Sequence, residues 1–494
     1  MYKILRADRD TYITDRVING SRVVSSSVGF AGSLDLFKLY GATMSGSVPN
    51  IELSRILIHF DLSTLSSSVS SGVIDTSSNS FFCKLQLKDV YGGQPTPDNF
   101  TVTVNPLSAT FREGRGKDVV WYADRDIANF LTSSPGTLWY MSGCGLPGDP
   151  TTPCDFITGS YAATQTFVSG EEDLNVDVTT AVKAMLTGEI PDRGFRIALT
   201  DVEESDDYTY FVKRFASRHA YNEDKRPRLV YGYDDSVRDD ADFLTFDTIN
   251  TLFMYNYYHG SPSNIVSAST IITGSECMTL RFETPVSGGL YSISFSASQH
   301  RSVTGMYSAS FTLPLTASSV IQSLTHSGSV TFTPIWQSNS GSYAYVTGSA
   351  TKFWKNQRST AQLSATRYIV SVLGLGALHR TDESRVVRVN VFDHTSPQIM
   401  VVKTPVNSPQ GLRASVSDAF YSVRDVQTNE IIIPFDRTFG STRLSNDTQG
   451  LYFTLDMSSL TPERSYVIDV MILAGGNEQR YLNASSVFKV SDLQ

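Results

Sequence analysis

The sequence predicts an all-β chain of several domains: an N-terminal jelly-roll sandwich with minor helices, followed by two β-sandwich domains, the last immunoglobulin-like. Three observations predict it. The chain has 494 residues, and single hydrophobic cores stop growing at about 250–300 residues. Charged residues make up 18% and aromatics 11%, a balance that suits strands and polar loops better than exposed helices, which use Lys, Glu and Gln. Short apolar–polar alternations recur along the chain, punctuated by Gly, Pro, Asn and Asp.

Residues 2–8 and 10–14 mix β-branched and aromatic residues with polar ones, as short strands do. Residues 55–62 (Arg55-Ile-Leu-Ile-His-Phe-Asp-Leu62) are nearly continuously apolar, which predicts a central strand buried on both faces, or on one face beside a tight layer. Residues 81–87 alternate, with Phe81, Cys83, Leu85 and Leu87 on one face, and residues 100–104 repeat the pattern after Gly92, Gly93, Pro95 and Pro97. Two helices stand out. One covers residues 121–131. The other covers 177–186, where Asp177 caps the start, Val178, Val182, Met185 and Leu186 share a face, and Gly188 with Pro191 ends it. Strands return at 195–199 and 228–233.

The acidic stretch 234–242 places the first boundary near residue 235. Beyond it, residues 290–296, 305–311 and 329–336 alternate apolar residues with Ser and Thr at sandwich spacing. Residues 385–392 read as one long strand that either closes the middle domain or opens the last; the boundary is placed at 392/393. Strands at 420–424, 431–435, 451–455 and 466–472 make the last domain. The expected division is 1–235, 236–392 and 393–494.

A net charge of −9 argues against a nucleic-acid binder with a broad basic face, since phosphate binding needs Lys and Arg in excess. No apolar run reaches the roughly 20 residues that span a bilayer, so no membrane partner is expected, and residues 1–17 lack the apolar centre of a signal peptide. Cytosolic synthesis follows. Cys83, Cys144, Cys154 and Cys277 show no C-x-x-C spacing; they read as free thiols, with Cys144 and Cys154 as the pair placed to close a loop.

Two sets of residues carry resemblances. From residue 1 to 233, Asp10-Thr-Tyr-Ile13, Ser54-Arg-Ile-Leu-Ile-His-Phe-Asp-Leu-Ser63, Leu174-Asn-Val-Asp-Val-Thr-Thr-Ala-Val182 and Arg226-Pro-Arg-Leu-Val-Tyr231 occur in an order that resembles the DNRLRE family of jelly-roll modules, related in shape to carbohydrate-binding modules. The literal motif that names the family is missing. From residue 242 to 490, Leu252-Phe-Met-Tyr-Asn-Tyr257, Ser298-Gln-His300, Gly305-Met-Tyr-Ser-Ala309, Tyr421-Ser-Val-Arg-Asp425, Ile433-Pro-Phe-Asp436 and Gly450-Leu-Tyr-Phe453 resemble virion structural proteins of large tailed bacteriophages. That resemblance implies a virion role without an address within the particle; the leading expectation is a structural component of the tail, baseplate or neck, whose partners are other virion proteins and copies of itself.

Chemistry-bearing constellations are sparse. His59, His219, His259, His300, His326, His379 and His394 are scattered, with no H-E-x-x-H pair. No nucleophile elbow or P-loop occurs, and Leu373-Gly-Leu-Gly-Ala377 lacks the third glycine of a dinucleotide loop. No enzymatic activity and no cofactor is expected. A hydrolase would need two acids facing across a groove, and no spacing suggests them. The acid clusters Asp201, Glu203, Glu204, Asp206, Asp207 and Asp234, Asp235, Asp239, Asp240, Asp242 read as solvated loops, with a Ca²⁺ site as the rival reading; the closing Glu of a calcium loop is missing, and no metal site is assigned. Trp121, Tyr122, Trp139, Tyr140 and Tyr161 are the candidate glycan-binding platform, with surface glycans as the alternative partners. Phe253, Tyr255, Tyr257 and Tyr258 are the candidate assembly interface, since interface cores are enriched in aromatics and poor in charge.

Overall fold

The computed structural model describes residues 1–45, 48–90, 97–117, 127–149, 151–241, 244–267, 269–287, 289–324, 328–354, 368–393, 418–447, 449–474 and 477–492. The fold is all-β, in two compact units. One unit comprises Tyr2–Tyr233 with Ser458–Thr461. The other comprises Asp234–Met457 and Pro462–Gln494, with Met1.

The first unit is an antiparallel jelly-roll-like sandwich. Its long first strand, Tyr2–Thr14, serves two sheets. Residues 2–6 pair with Arg228–Gly232, which continues to Phe82–Leu87 and Leu174–Asp177. After an irregularity between Ala7 and Arg9, residues 7–14 pair with Val48–Phe60, followed by Phe195–Leu199, Phe100–Pro106 and Ala163–Phe167. A bulge of this kind bends a strand so that it can turn a sandwich corner. The run Ile56, Leu57, Ile58 is fully buried, as its continuous apolarity requires. Alternate side chains of a strand point to opposite faces. Leu57 enters a separate small core with Ile13, Leu107, Phe111, Trp139, Cys144 and Phe156, so the loops covering that face of the strand carry their own apolar layer.

Helix Thr179–Thr187 forms where expected. Asp177 Oδ1 accepts the Thr179 N–H at 2.9 Å, and Gly188 ends the helix at φ +76°, a conformation that costs glycine little. The helix expected at 121–131 is corrected over its described part. Residues 127–131 are bends, because Asn129 Oδ1 accepts the N–H groups of Leu131 and Thr132 at 2.8 and 2.9 Å, a local alternative to helical pairing. Residues 121–126 lie outside the described residues.

In the second unit, the middle sandwich carries strands in the order Leu244–Thr245, Thr351–Trp354, Ser329–Gln337, Met278–Val286, Gly289–Gln299, Met306–Thr312, Ile249–Tyr255. Its core is aromatic: Phe282 meets Phe311 at 5.0 Å and Phe353 at 5.2 Å. The last sandwich has one sheet of Tyr368–Leu373, Ser384–Asp393, Gly450–Asp456 and Ser445–Asp447. Its second sheet is built on Asp418–Asp425 and Ser465–Ala474. Tyr421 of one sheet stacks on Phe453 of the other at 4.0 Å.

The boundary expected at 392/393 is corrected. Ser384–Asp393 pairs with Tyr368–Leu373 on one side and Gly450–Asp456 on the other. It therefore belongs to the last sandwich, of which Tyr368–Leu373 is already a strand. The strand's own alternation could not decide this, because either neighbour would bury Val387, Val389 and Val391 equally well.

Candidate docking surface

Strand Ile249–Tyr255 turns Asn250, Leu252 and Met254 inward and leaves Ile249, Thr251, Phe253 and Tyr255 on its outer face. Phe253 and Tyr255 stack with centroids 6.3 Å apart, and the His300 ring meets Phe253 edge-on at 4.8 Å. Burial pushes His300 down to about 4, so the ring is neutral at physiological pH and behaves as part of an apolar cluster. Burial also raises the Tyr255 hydroxyl, with Tyr452, Asp239 and Tyr257 adding to the effect.

The chain then makes a tight hairpin, Tyr257–Tyr258 against Ser261–Pro262. His259 and Gly260 sit at φ +49° and +81°, the paired positive angles of a two-residue hairpin turn. Asn256 anchors the base of the hairpin, with Nδ2 donating to Ser263 O at 2.7 Å. Gly305 packs there so closely that a Cβ would lie 2.5 Å from Asn256 O. The hairpin thus holds Tyr257 and Tyr258 out at 61% and 67% exposure. A second hairpin, Val266–Ser267 with Thr270–Ile271, leaves Val266 and Ile271 exposed too. From Thr248 to Ser275 there is no Asp, Glu, Lys or Arg. The four predicted residues therefore lie on one short stretch of surface, and the second hairpin extends it.

The predicted glycan platform does not come together among the described residues. Trp139 is 5% exposed and lies in the Leu57 core, its indole N–H donating to Asn129 O at 2.8 Å; its assignment as a stacking surface is corrected to core. Tyr140 is exposed. Tyr161 donates its hydroxyl to Glu189 Oε1 at 2.5 Å. Trp121 and Tyr122 lie outside the described residues.

The acid cluster at 201–207 is corrected in part: Asp201 and Asp207 are exposed, but Glu203, Glu204 and Asp206 are half-buried, and Glu204 and Asp206 bind buried cations. Helix Asp201–Ser205 opens with a capping box between Thr200 and Glu203. Glu204 grips Arg55 through two bonds, Nε–Oε1 2.8 Å and Nη2–Oε2 2.6 Å. Arg196, 1% exposed, lies 3.7 Å from the same carboxylate and 4.3 Å above the Phe156 ring. Asp206 binds the fully buried Lys38 and accepts from Tyr210 Oη at 2.8 Å. Lys213, equally buried, donates to Asp89 and to the carbonyls of Gly170 and Glu172 at 2.6–2.8 Å. The sequence reading missed these buried cations. Their one signal is a Lys or Arg inside an otherwise strand-like run, as at Lys38, Arg55, Arg196 and Lys213.

In the second acid cluster, Asp234 accepts from Arg443 at 3.3 Å, and burial pushes Asp239 up to about 6. Asp242 lies outside the described residues. His59 is buried and its ring is partnered: its Nδ1 lies 2.6 Å from Asp8 and its Nε2 3.8 Å from Asp192. Among the described residues no three His, Cys, Asp or Glu side chains converge as a metal site. The four cysteines are free thiols, so Cys144 and Cys154 do not close their loop with a disulfide. A polar cavity of about 150 Å³ in the second unit is bordered by Asp235, Tyr421, Arg443, Ser445 and Tyr452.

No protein-family model matches the chain, and no curated protein matches it. Among solved structures, a titin structure titled "Anomalous substructure of Titin-A168169" is 7% identical, with 53% of this chain and 98% of that one covered and a TM-score of 0.14. The FN1-FN3 domains of chicken CNTN1 are 11% identical over 65% of this chain and 78% of theirs, at 0.16. A DUF4785 family protein from Legionella pneumophila is 9% identical over 98% and 92%, at 0.14. At these scores none of them bears on what the chain does.

Proposed function

We propose that the chain is a structural component of a tailed-phage particle, in the tail, baseplate or neck, acting by docking to neighbouring virion proteins and to copies of itself. The observation that carries this reading is the uncharged tract from Thr248 to Ser275, which presents Tyr257, Tyr258, Val266 and Ile271 to solvent. Contiguous exposed apolar surface marks an interaction site. Tyrosine supplies large contact area with few rotors to immobilise. A rigid two-residue turn holds this pair out, so little order has to be gained on docking. The likeness of residues 242–490 to phage virion proteins supplies the particle.

Electron microscopy of purified particles, with the chain labelled, tests the reading directly; absence from particles refutes it. The double substitution Tyr257→Ser, Tyr258→Ser touches exposed side chains alone. It should leave the melting curve unchanged and abolish incorporation into particles. Normal incorporation would remove this tract from the docking role.

A further inference from the structure

Strand Gly289–Gln299 pairs with Met278–Val286 along its length on one side. On the other side it pairs with Met306–Thr312 at Ser298 and Gln299. Among the described residues, its edge from Gly289 to Ala297 has no partner strand. A free edge displays a row of N–H and C=O groups ready to pair, and proteins normally blunt such edges with charge, Pro, bulges or a covering segment. This one has none of the first three: Gly289-Leu-Tyr-Ser-Ile-Ser-Phe-Ser-Ala-Ser-Gln299 is uncharged and regular.

Two other strand edges in the same unit are closed. The free side of Ile249–Tyr255 is covered by Asp240, whose N–H donates to Thr251 O at 2.8 Å and whose Oδ2 accepts the Thr251 N–H at 2.9 Å. The Asp239 carboxylate takes the Phe253 N–H. On Tyr368–Leu373, the Tyr368 N–H donates to Tyr481 Oη at 3.2 Å and the Val372 N–H to Ala484 O at 3.1 Å.

We propose that the Gly289–Ala297 edge docks antiparallel against the same strand of a second copy of this chain, with Ile293 opposite its own symmetry mate. Side chains alternate between the faces of a strand, and in this register each face meets its like. Tyr291 lies opposite Phe295 of the second copy on the core side, where Tyr291, Ile293 and Phe295 pack against the sandwich core yet stay half-buried. On the outer face Ser292 lies opposite Ser294, and Leu290 opposite Ser296; all four are exposed. The occupant is a second copy for two reasons. The alternation is self-complementary about Ile293, which is what a two-fold interface requires. The strand also brings no charge, so two chains of net charge −9 can meet there without facing like charges across the contact. This inference goes beyond the particle reading, and the two fail separately: particle localisation does not depend on self-association in solution.

Sedimentation velocity of the full chain across micromolar concentrations tests it. The native chain should show a concentration-dependent dimer. Ser292→Lys with Ser294→Lys sets lysines opposite lysines and should leave a monomer with an unchanged melting curve. Ser292→Glu with Ser294→Glu should do the same. Mixing the two variants should restore the dimer, as a heterodimer. A native chain that stays monomeric throughout overturns the proposal. So does a dimer that survives the lysine pair, or a mixture that stays monomeric.

Discussion

Replacing Glu204 with Gln tests whether the buried network of the first unit is structural. The substitution keeps the side-chain volume and removes the charge. It leaves Arg55, whose side chain is 6% exposed, with one neutral acceptor beside its bond to Gly143 O at 2.8 Å. Arg196 then faces Arg55 with its nearest anion gone, and one of its Nη atoms already lacks a hydrogen-bond partner. Breaking a buried pair by removing one partner costs about 3–5 kcal/mol. The Glu204 side chain is 10% exposed, so water reaches it and the lower end, about 3 kcal/mol, applies. For a domain of this size each kcal/mol moves the midpoint about 2–4 °C, so the first unit should melt about 6–12 °C earlier. Calorimetry of the full chain should show this, with hydrogen exchange of Val48–Phe60 identifying which transition moved. A cycle of Arg55→Met, Glu204→Gln and the double variant should give a coupling of at least about 1.5 kcal/mol, within the range for residues in contact. A shift under about 2 °C, or no coupling, would refute the reasoning.

Three further outcomes follow from particular residues. Burial pushes the Asp10 carboxyl up to about 7, against about 3.9 in an unfolded chain; the folded state therefore holds the proton more tightly, and its stability contribution, fully present below pH ~4, is lost as pH rises through about 7. Asp10→Asn should flatten that part of a stability–pH profile, and a profile identical to the native one would disprove the assignment. Cys154 and Cys277 are partly exposed, whereas Cys83 and Cys144 are buried, the latter pushed up to about 12; a thiol-reactive dye on native protein should label the first two fast and the others only on unfolding. Gly194 sits at φ +91°, where a Cβ would lie 2.2 Å from Ile58 O, so Gly194→Ala should destabilise the first unit by at least about 2 kcal/mol in denaturant titration.

The sequence made the strands legible where apolar residues were dense and periodic. Residues 55–62 and 177–186 could be read because burial and helix capping leave local marks. Ser63–Ser70 was not read as a helix, because serine has weak helix propensity and only Leu65 of that stretch is buried; Asp61 holds its start by accepting the Ser63 N–H at 2.9 Å. The strand 385–392 was found but not its partners, since the strand that seats it in the last sandwich, Gly450–Asp456, comes from far along the chain. Trp139 looked like a sugar platform because it is an aromatic residue in a loop, and nothing local shows that Leu57, Phe111 and Phe156 pack with it. The acid cluster misled for a related reason: its cations come from strands at Lys38, Arg55 and Arg196, far off in sequence. Phe253, Tyr255, Tyr257 and Tyr258 are neighbours along the chain, so a local reading could group them.

Charge is distributed unevenly between the two units, and this links the fold to the docking reading. In the first unit Lys38, Arg55, Arg196 and Lys213 are directed inward and met by Asp206, Glu204 and Asp89. Buried ionic networks add little net stability against apolar packing, yet they penalise any arrangement that leaves one member unpaired. In the second unit two tracts, Thr248–Ser275 and Gly289–Gln299, carry no charge at all, and Asp239 and Asp240 beside the first are bound to backbone N–H groups along a strand edge. An uncharged surface loses little hydration when it is covered, because the large desolvation cost belongs to ions. Adding a Lys at Tyr257 should therefore weaken docking more than truncating that ring to Ala, since the ammonium must be stripped of water for nothing in return. If Tyr257→Lys and Tyr257→Ala weaken incorporation equally, desolvation is not what the neutral tract minimises, and contact area alone governs the interface.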